Sequence, residues 1–214
     1  SCNGIDTENH FNPRLIDENL LNSLRSQLGI EKYEIVIGFS GRLVKDKGLL
    51  ELIEAFEMLR KIYNNVCLLI VGPRETRDSI PENAFSHMTE CEGIIFTEFV
   101  AYSQIQYYYY MMDVFVLPSY REGLGMSSLE AGSMKVPSVV SNHTGCRETI
   151  IDNITGKLCE VTPDSICKSI VYVLEHNRGN MMGENARLFV SRHFDSKIVN
   201  NNVLNYLNSL TVKL

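Results

Sequence analysis

The chain has 214 residues, 44% of them apolar and 21% charged, which is ordinary for a soluble globular protein of one large domain or two small ones. A net charge of -6 argues against general attraction to nucleic acid or anionic lipid, and no apolar run approaches the length of a membrane span. The six cysteines, at positions 2, 67, 91, 146, 159 and 167, form no Cys-x-x-Cys pair, so reduced, buried thiols are expected rather than disulfides or a zinc site.

Asn3-Gly4 signals a turn near the start. Leu20, Leu21, Leu24 and Leu28 recur at helical spacing over Asp17–Leu28, and Gly29 follows as a helix cap would. Glu34–Phe39 reads as the first core strand. It runs into residues 40–48, Ser-Gly-Arg-Leu-Val-Lys-Asp-Lys-Gly, and then into a helix over Leu49–Tyr63 with Leu49, Leu52, Ile53, Phe56 and Leu59 on one face. Arg42 and Lys47 beside glycines at this strand-to-helix junction suit a diphosphate, because Arg offers forked hydrogen bonds and Lys a mobile point charge. Lys45 is expected in solvent. Val66–Val71 is a second buried strand, closed by Gly72-Pro73. Residues 74–92 suggest a loop and a short helix, and Gly93–Thr97 a third strand. A helix follows from Ser103, taken as its N-cap. Four tyrosines in a row, Tyr107–Tyr110, point all round that helix and are expected to pack it on the sheet.

Residues 113–137 are the centre of the chain. Val114–Leu117 is a continuous apolar run, as in a strand buried on both faces of a parallel sheet. Pro118-Ser119 stops it, Gly123 and Gly125 are expected to let the backbone turn tightly and approach a ligand, and a helix runs from near Met126 to before Pro137. The first backbone N–H groups of a helix lack intrahelical partners and bind anions. Glu122 and Glu130, with seven residues between them, flank this anion site, and carboxylates accept hydrogen bonds from paired hydroxyls such as sugars carry. Together these features suggest a sugar nucleotide. Pro137–Ser141 is a further buried strand, His143 is expected on a surface loop, residues 152–156 form a turn, and Lys157–Val161 is a short final strand. Helices over Pro163–Asn177, Met181–His193 and Ser196–Leu210 complete the chain. The alternation of strands and helices argues for an α/β fold, a Rossmann-like doubly wound parallel sheet of about six strands with helices on both faces.

The run Leu-Pro-Ser-x-x-Glu-Gly-x-Gly at 117–125, with Glu122 and Glu130 and the later Pro137-Ser138-Val139-Val140, resembles the donor-site signature of retaining glycosyltransferases of family 4, which have the GT-B fold. Gly41-Arg42-Leu43 with Lys47-Gly48 resembles a second element of the same family, and Asn3-Gly4-Ile5-Asp6 with Asn12-Pro13 resembles the segment that passes from acceptor to donor domain. The resemblance implies that residues 1–214 are a donor-binding domain, with 1–30 near the hinge and 196–214 a terminal helix that packs on an N-terminal acceptor domain missing here. It implies transfer of a sugar from a nucleoside-diphosphate sugar, with retention and without a metal or other cofactor, in surface polysaccharide or glycoconjugate synthesis. The acceptor would be a lipid-linked saccharide and the protein cytoplasmic, peripheral at the inner face of the membrane through the missing domain. Arg42, Lys47 and Glu122 carry over as catalytic residues. Gly41, Val100, Gly123, Leu124, Gly125, Met126, Ser127 and Glu130 join them in donor binding, with Arg42 and Lys47 on the diphosphate, Glu122 on the sugar and Glu130 on the ribose. No metal ligand is expected. Glu98 and Lys135 each stand where the family usually has Gly. A nicotinamide-dependent oxidoreductase would need Gly-x-Gly-x-x-Gly after the first strand, which residues 38–48 do not supply. A nucleotide-sugar epimerase on the related scaffold and a non-catalytic binding module stay open.

Overall fold

The computed structural model describes residues 4–75 and 80–211; Cys2 and Asn3 of the hinge-like segment lie outside them. Six parallel strands form one sheet: β1 (Ile35–Ser40), β2 (Val66–Val71), β3 (Ile94–Thr97), β4 (Val114–Leu117), β5 (Ser138–Ser141) and β6 (Gly156–Cys159), in the order β3-β2-β1-β4-β5-β6. Every residue of β2, β4 and β5 is buried, so both faces of the sheet are covered. The helices are α1 (Glu18–Gln27), α2 (Leu49–Leu59), α3 (Glu82–Glu90), α4 (Ile105–Tyr110), α5 (Met126–Ser133), α6 (Pro163–His176), α7 (Met181–His193) and α8 (Ser196–Thr211). They pack in two groups, α2 against α6 and α5 against α4 and α7.

Local chemistry sets the helix ends. Asp17 caps α1 by accepting the Asn19 and Leu20 N–H groups, and Thr162 caps α6 through Ser165 with Pro163 in the first turn. Leu49, Leu52, Ile53, Phe56 and Leu59 of α2 are buried as their spacing predicts. Each such side chain contributes about 1.5–3 kcal/mol of burial. Some boundaries differ from expectation. α2 stops at Leu59 and the chain turns through Tyr63, whose N–H still reaches Leu59 O at 2.8 Å. β6 ends at Cys159 rather than Val161. Ser103 is not an N-cap but lies inside a 3₁₀ turn, Tyr102–Gln104, that leads into α4. The turn predicted at 152–156 is present and places Asn153 at φ 63°.

The register between β1 and β4 is short. β1 pairs with β2 along all six residues, whereas it meets β4 only at Ile37–Val114 and Gly38–Phe115. Asp113 reinforces this seam: its N–H donates to Val36 O and its carboxylate accepts the Val36 N–H, both at 2.8 Å. The N-terminal segment is tied down far along the chain. Ile5 donates to Phe194 O at 2.7 Å and accepts from Ser196 N–H at 2.9 Å, while Arg187 donates to Thr7 O and Phe11 O at 3.0 and 2.9 Å. No helix among the described residues is long and apolar enough to cross a membrane. The five described cysteines are free, and Cys67, Cys146, Cys159 and Cys167 are buried.

Candidate active site

In an open parallel sheet, ligands bind beyond the carboxyl ends of the strands where the strand order reverses. Here that point lies between β1 and β4, and the loops that follow these two strands carry the sequence-predicted residues. Two glycines allow the loops to close on one another. Gly48, at φ 65°, brings its backbone so near Pro118 that a Cβ would lie 2.1 Å from the Pro118 carbonyl oxygen. Gly145, at φ 86°, sits where a Cβ would come within 2.3 Å of Glu122 O. Neither position accepts a side chain without moving backbone. Tyr120 N–H donates to Asp46 O at 2.9 Å, and Gly125 N–H to Gly145 O at 2.6 Å, fixing the three loops together.

At the centre, Lys47 Nζ pairs with Glu122 Oε1. Their side chains are 17% and 14% exposed, so the pair is shielded but reachable. The Ser119 hydroxyl, fully buried, donates to the same Glu122 oxygen at 3.1 Å. Two cavities meet at this pair. One, of about 460 Å³, is lined by Ser40, Gly41, Val100, Leu124, Met126, Ser127 and Glu130, with Phe99, Tyr102 and Tyr109 as an aromatic wall. The other, of about 360 Å³, is lined by Arg42, Gly123, Asp46, Glu75 and Arg121. Lys47 and Glu122 line both. Arg42 is exposed and, among the described residues, pairs with Glu75 alone at 3.9 Å, so its guanidinium is available to an anion.

Gly125 lines neither cavity. It is packed beneath them, where a Cβ would lie 2.9 Å from Leu117 Cδ2. Neither Gly123 nor Gly125 uses left-handed backbone, yet the chain turns tightly at Gly125, at φ -69° and ψ 69°. At Gly123 a Cβ would meet nothing within 4 Å, so the space there faces the cavity. No side chain caps α5, whose N-cap is Gly125. The Met126 N–H reaches Leu124 O at 2.7 Å and the Ser128 N–H reaches Gly125 O at 3.0 Å, so the anion-binding turn is partly satisfied by backbone.

Glu130 lies one helical turn deeper. Burial pushes its carboxyl up to about 7, and the Tyr109 hydroxyl, which donates to Oε2 at 2.7 Å, opposes part of that rise. Burial is also the main reason the Tyr109 phenol lies well above its ordinary range, with the Glu130 carboxylate adding to it. Tyr107, Tyr108 and Tyr109 are all buried, as expected of packing residues. The contact from Tyr109 to Glu130 escaped the sequence reading, as did Ser119 on Glu122. Both join side chains whose approach is set by tertiary packing or loop shape rather than by a residue pattern. His143 is exposed on its loop, and Lys45 is exposed as well. Glu98 is exposed and lines neither cavity. Among the described residues no three His, Cys, Asp or Glu side chains cluster as a metal site.

Fold and site together define a doubly wound α/β domain with cations, two carboxylates and a helix N-terminus at its switch point. The sequence profile of the family described as glycosyl transferases group 1 matches residues 22–189, and the chain belongs to that family. It is 33% identical over 201 residues to the capsular polysaccharide biosynthesis glycosyltransferase CapM of Staphylococcus aureus, covering 93% of this chain and 51% of that protein. It is 28% identical to a lipopolysaccharide 1,2-N-acetylglucosaminetransferase of Salmonella typhimurium, covering 85% of this chain and 50% of that protein. The chain thus spans about half the length of these curated relatives. Its fold superposes on Anabaena Alr3699/HepE, solved in complex with UDP and glucose, with a TM-score of 0.81 at 23% identity, covering 96% of this chain and 55% of that one. A solved C-terminal domain of a group 1 glycosyl transferase from Francisella tularensis matches with a TM-score of 0.74 at 24% identity, covering 89% of this chain and 98% of that domain.

Proposed function

We propose that this chain is the donor-binding half of a retaining glycosyltransferase of family 4 with the GT-B fold, acting in surface polysaccharide or glycoconjugate synthesis. The observation that carries the reading is the position of Lys47 and Glu122, which meet at the switch point between a charged cavity and an aromatic-walled one. A nucleoside-diphosphate sugar has the matching order of parts. Its nucleoside fits the cavity of Val100, Leu124 and Glu130, its diphosphate crosses at Lys47 and the start of α5, and its sugar reaches Glu122. The capsular and lipopolysaccharide relatives support the biosynthetic setting, and the UDP complex of a structural neighbour supports the ligand class.

In the reaction, the bond between the anomeric carbon and the diphosphate oxygen breaks, and the oxygen of an acceptor hydroxyl bonds to that carbon on the same face of the sugar while its proton passes to the departing diphosphate. Negative charge grows on the leaving diphosphate. Arg42, Lys47 and the backbone at Gly123–Ser127 are set to stabilise it without a metal or other cofactor. Glu122 orients the sugar through its hydroxyls, and in the free chain it holds Lys47 in place until a donor separates the pair. The acceptor, a lipid-linked saccharide, would be held mainly by an N-terminal domain hinged near residues 1–30 and contacted by the helix at 196–214. In the cell this reading places the protein in the cytoplasm, peripheral at the inner membrane face.

Calorimetric titration with UDP, GDP and ADP, with and without EDTA, tests the reading. Arg42→Ala and Lys47→Ala are expected to weaken diphosphate binding by about 1.5–3 kcal/mol each and to leave nucleoside binding nearly unchanged. Unaltered diphosphate affinity in both folded variants would exclude the assignment. Exchange of a sugar proton with solvent deuterium, in place of transfer, would mark an epimerase instead.

A further inference from the structure

Tyr109 stands out as a buried polar group that the proposed chemistry does not use. It is 1% exposed and is enclosed by rings: Phe11 at 6.1 Å and Phe115 at 5.7 Å between centroids, both edge-on. A buried phenol needs a partner, and a phenylalanine would fill this aromatic cluster equally well. The hydroxyl instead points out of the core to Glu130 Oε2 at 2.7 Å. Both residues line the aromatic-walled cavity.

We propose that Tyr109 is a positioning residue that turns the Glu130 carboxylate toward the cavity and keeps one of its oxygens free to accept both hydroxyls of a bound ribose. The inference rests on the donor-site reading above and deepens it. A carboxylate has two oxygens and about four acceptor positions. One phenolic donor on Oε2 fixes the rotation of the group and leaves Oε1 open for a diol. Without that donor the side chain would be free to turn, and it would hold its proton more strongly, because the hydrogen bond from Tyr109 favours the charged form. A protonated carboxyl offers one donor and fewer acceptor positions, and is a poor match for a diol.

The other titratable groups around Glu130 are few. Tyr102 faces it from the turn before α4, and its phenol is raised mainly by burial and further by Glu130. Lys47 and Glu122 lie across the same cavity, bound to each other. Ser40 on β1 stands beside the Tyr109 hydroxyl and opposes part of the rise in its phenol. None of these is a cation in contact with Glu130, so the Tyr109 hydroxyl is the group placed to hold it ionised.

The test uses Tyr109→Phe, Glu130→Gln and the double variant. UDP, GDP and ADP and their 2′,3′-dideoxy analogues are titrated from about pH 5.5 to about pH 8.5, bracketing the Glu130 midpoint. The ionisation of Glu130 is followed in the ligand-free protein by carboxyl carbon NMR. Tyr109→Phe is expected to weaken binding of the ribonucleotide about tenfold near neutral pH, to leave the dideoxy analogue unchanged, and to move the Glu130 midpoint upward. Adding Tyr109→Phe to Glu130→Gln is expected to change nothing further. Equal losses for ribonucleotide and dideoxy analogue, or full additivity in the double variant, would assign Tyr109 a purely structural role and overturn the proposal. Normal nucleotide binding with an unshifted Glu130 midpoint would overturn it alone. No binding of any of the three diphosphates by the wild-type chain would overturn the donor-site reading together with it.

Discussion

Glu130 is a carboxylic acid whose surroundings oppose its charge. Its ordinary value is 4.5 and burial raises it to about 7. Between those two values the folded chain keeps a proton that the unfolded chain has released. Stability therefore falls as pH rises through this window and levels off above it, by an amount on the order of 3 kcal/mol. Glu130→Gln carries no such proton. Urea unfolding of the two proteins across the window is expected to show the wild type losing stability relative to the variant as pH rises. Parallel pH dependences would show that Glu130 ionises freely in the fold. The spacing of Glu122 and Glu130 was visible in the sequence because both stand in one short motif. The environment that separates them was not. Glu122 is neutralised by Lys47, 75 residues earlier, and Glu130 is set against Tyr109, 21 residues earlier.

At the scale of elements, the strands and most helices were legible because the chain alternates between continuous apolar runs and amphipathic stretches. Ends were less so. α2 looked longer because apolar residues continue past Leu59, and Ser103 looked like a cap because its residue type suits one; neither pattern reports where the backbone leaves helical geometry. The end of α5 is instructive. Lys135 takes the left-handed conformation at φ 65°, a place that favours glycine. Its ammonium pairs with Glu184 on α7 at 2.6 Å, with the two side chains 33% and 52% exposed. A pair so exposed returns little, whereas left-handed backbone costs a side-chain-bearing residue about 1 kcal/mol or more. Lys135→Gly is therefore expected to raise stability by about 0.5 kcal/mol after the greater freedom of glycine in the unfolded chain is counted. Lys135→Ala keeps the strain and loses the pair, so it is expected to fall below wild type. Thermal melts ordering the two variants the other way would show that the contact with α7 outweighs the backbone.

For the molecule as a whole, the cavities at the switch point lie at the edge of a single sheet, and Arg42 is exposed where it lines one of them. The chain spans about half of its curated relatives. Holding two reactants in register lowers a barrier by roughly 7–11 kcal/mol, and one wall of a cleft does not supply that restraint. This chain alone is expected to bind a donor and to transfer no sugar at a measurable rate. α8 bears on the same point, since Val203, Leu204, Tyr206 and Leu207 are each about half exposed or more. An assay with a range of nucleotide sugars and acceptors, on this chain and on a version extended at its N-terminus, decides the matter. Comparable transfer by both would place the acceptor site within these residues. The motifs made most of the residues that line the two cavities readable from sequence, whereas the way the loops lock together through Gly48 and Gly145 depends on contacts between distant turns and had no local signature.

The narrow seam between β1 and β4 also governs the order of events when the protein is made. β1, β2 and β3 leave the ribosome before β4 and can pair with one another without it. β4 joins them through the pairs Ile37–Val114 and Gly38–Phe115, and the two cavities at the switch point do not exist until that joint has closed. A nucleotide would then recognise the finished seam and no earlier form of the chain. It is expected to slow unfolding in proportion to its occupancy while leaving the first phase of refolding unchanged, as for contacts absent from an early transition state. Stopped-flow refolding that accelerates from its first phase in the presence of nucleoside diphosphate would show instead that the seam forms at the outset, with the ligand serving as a template for the sheet.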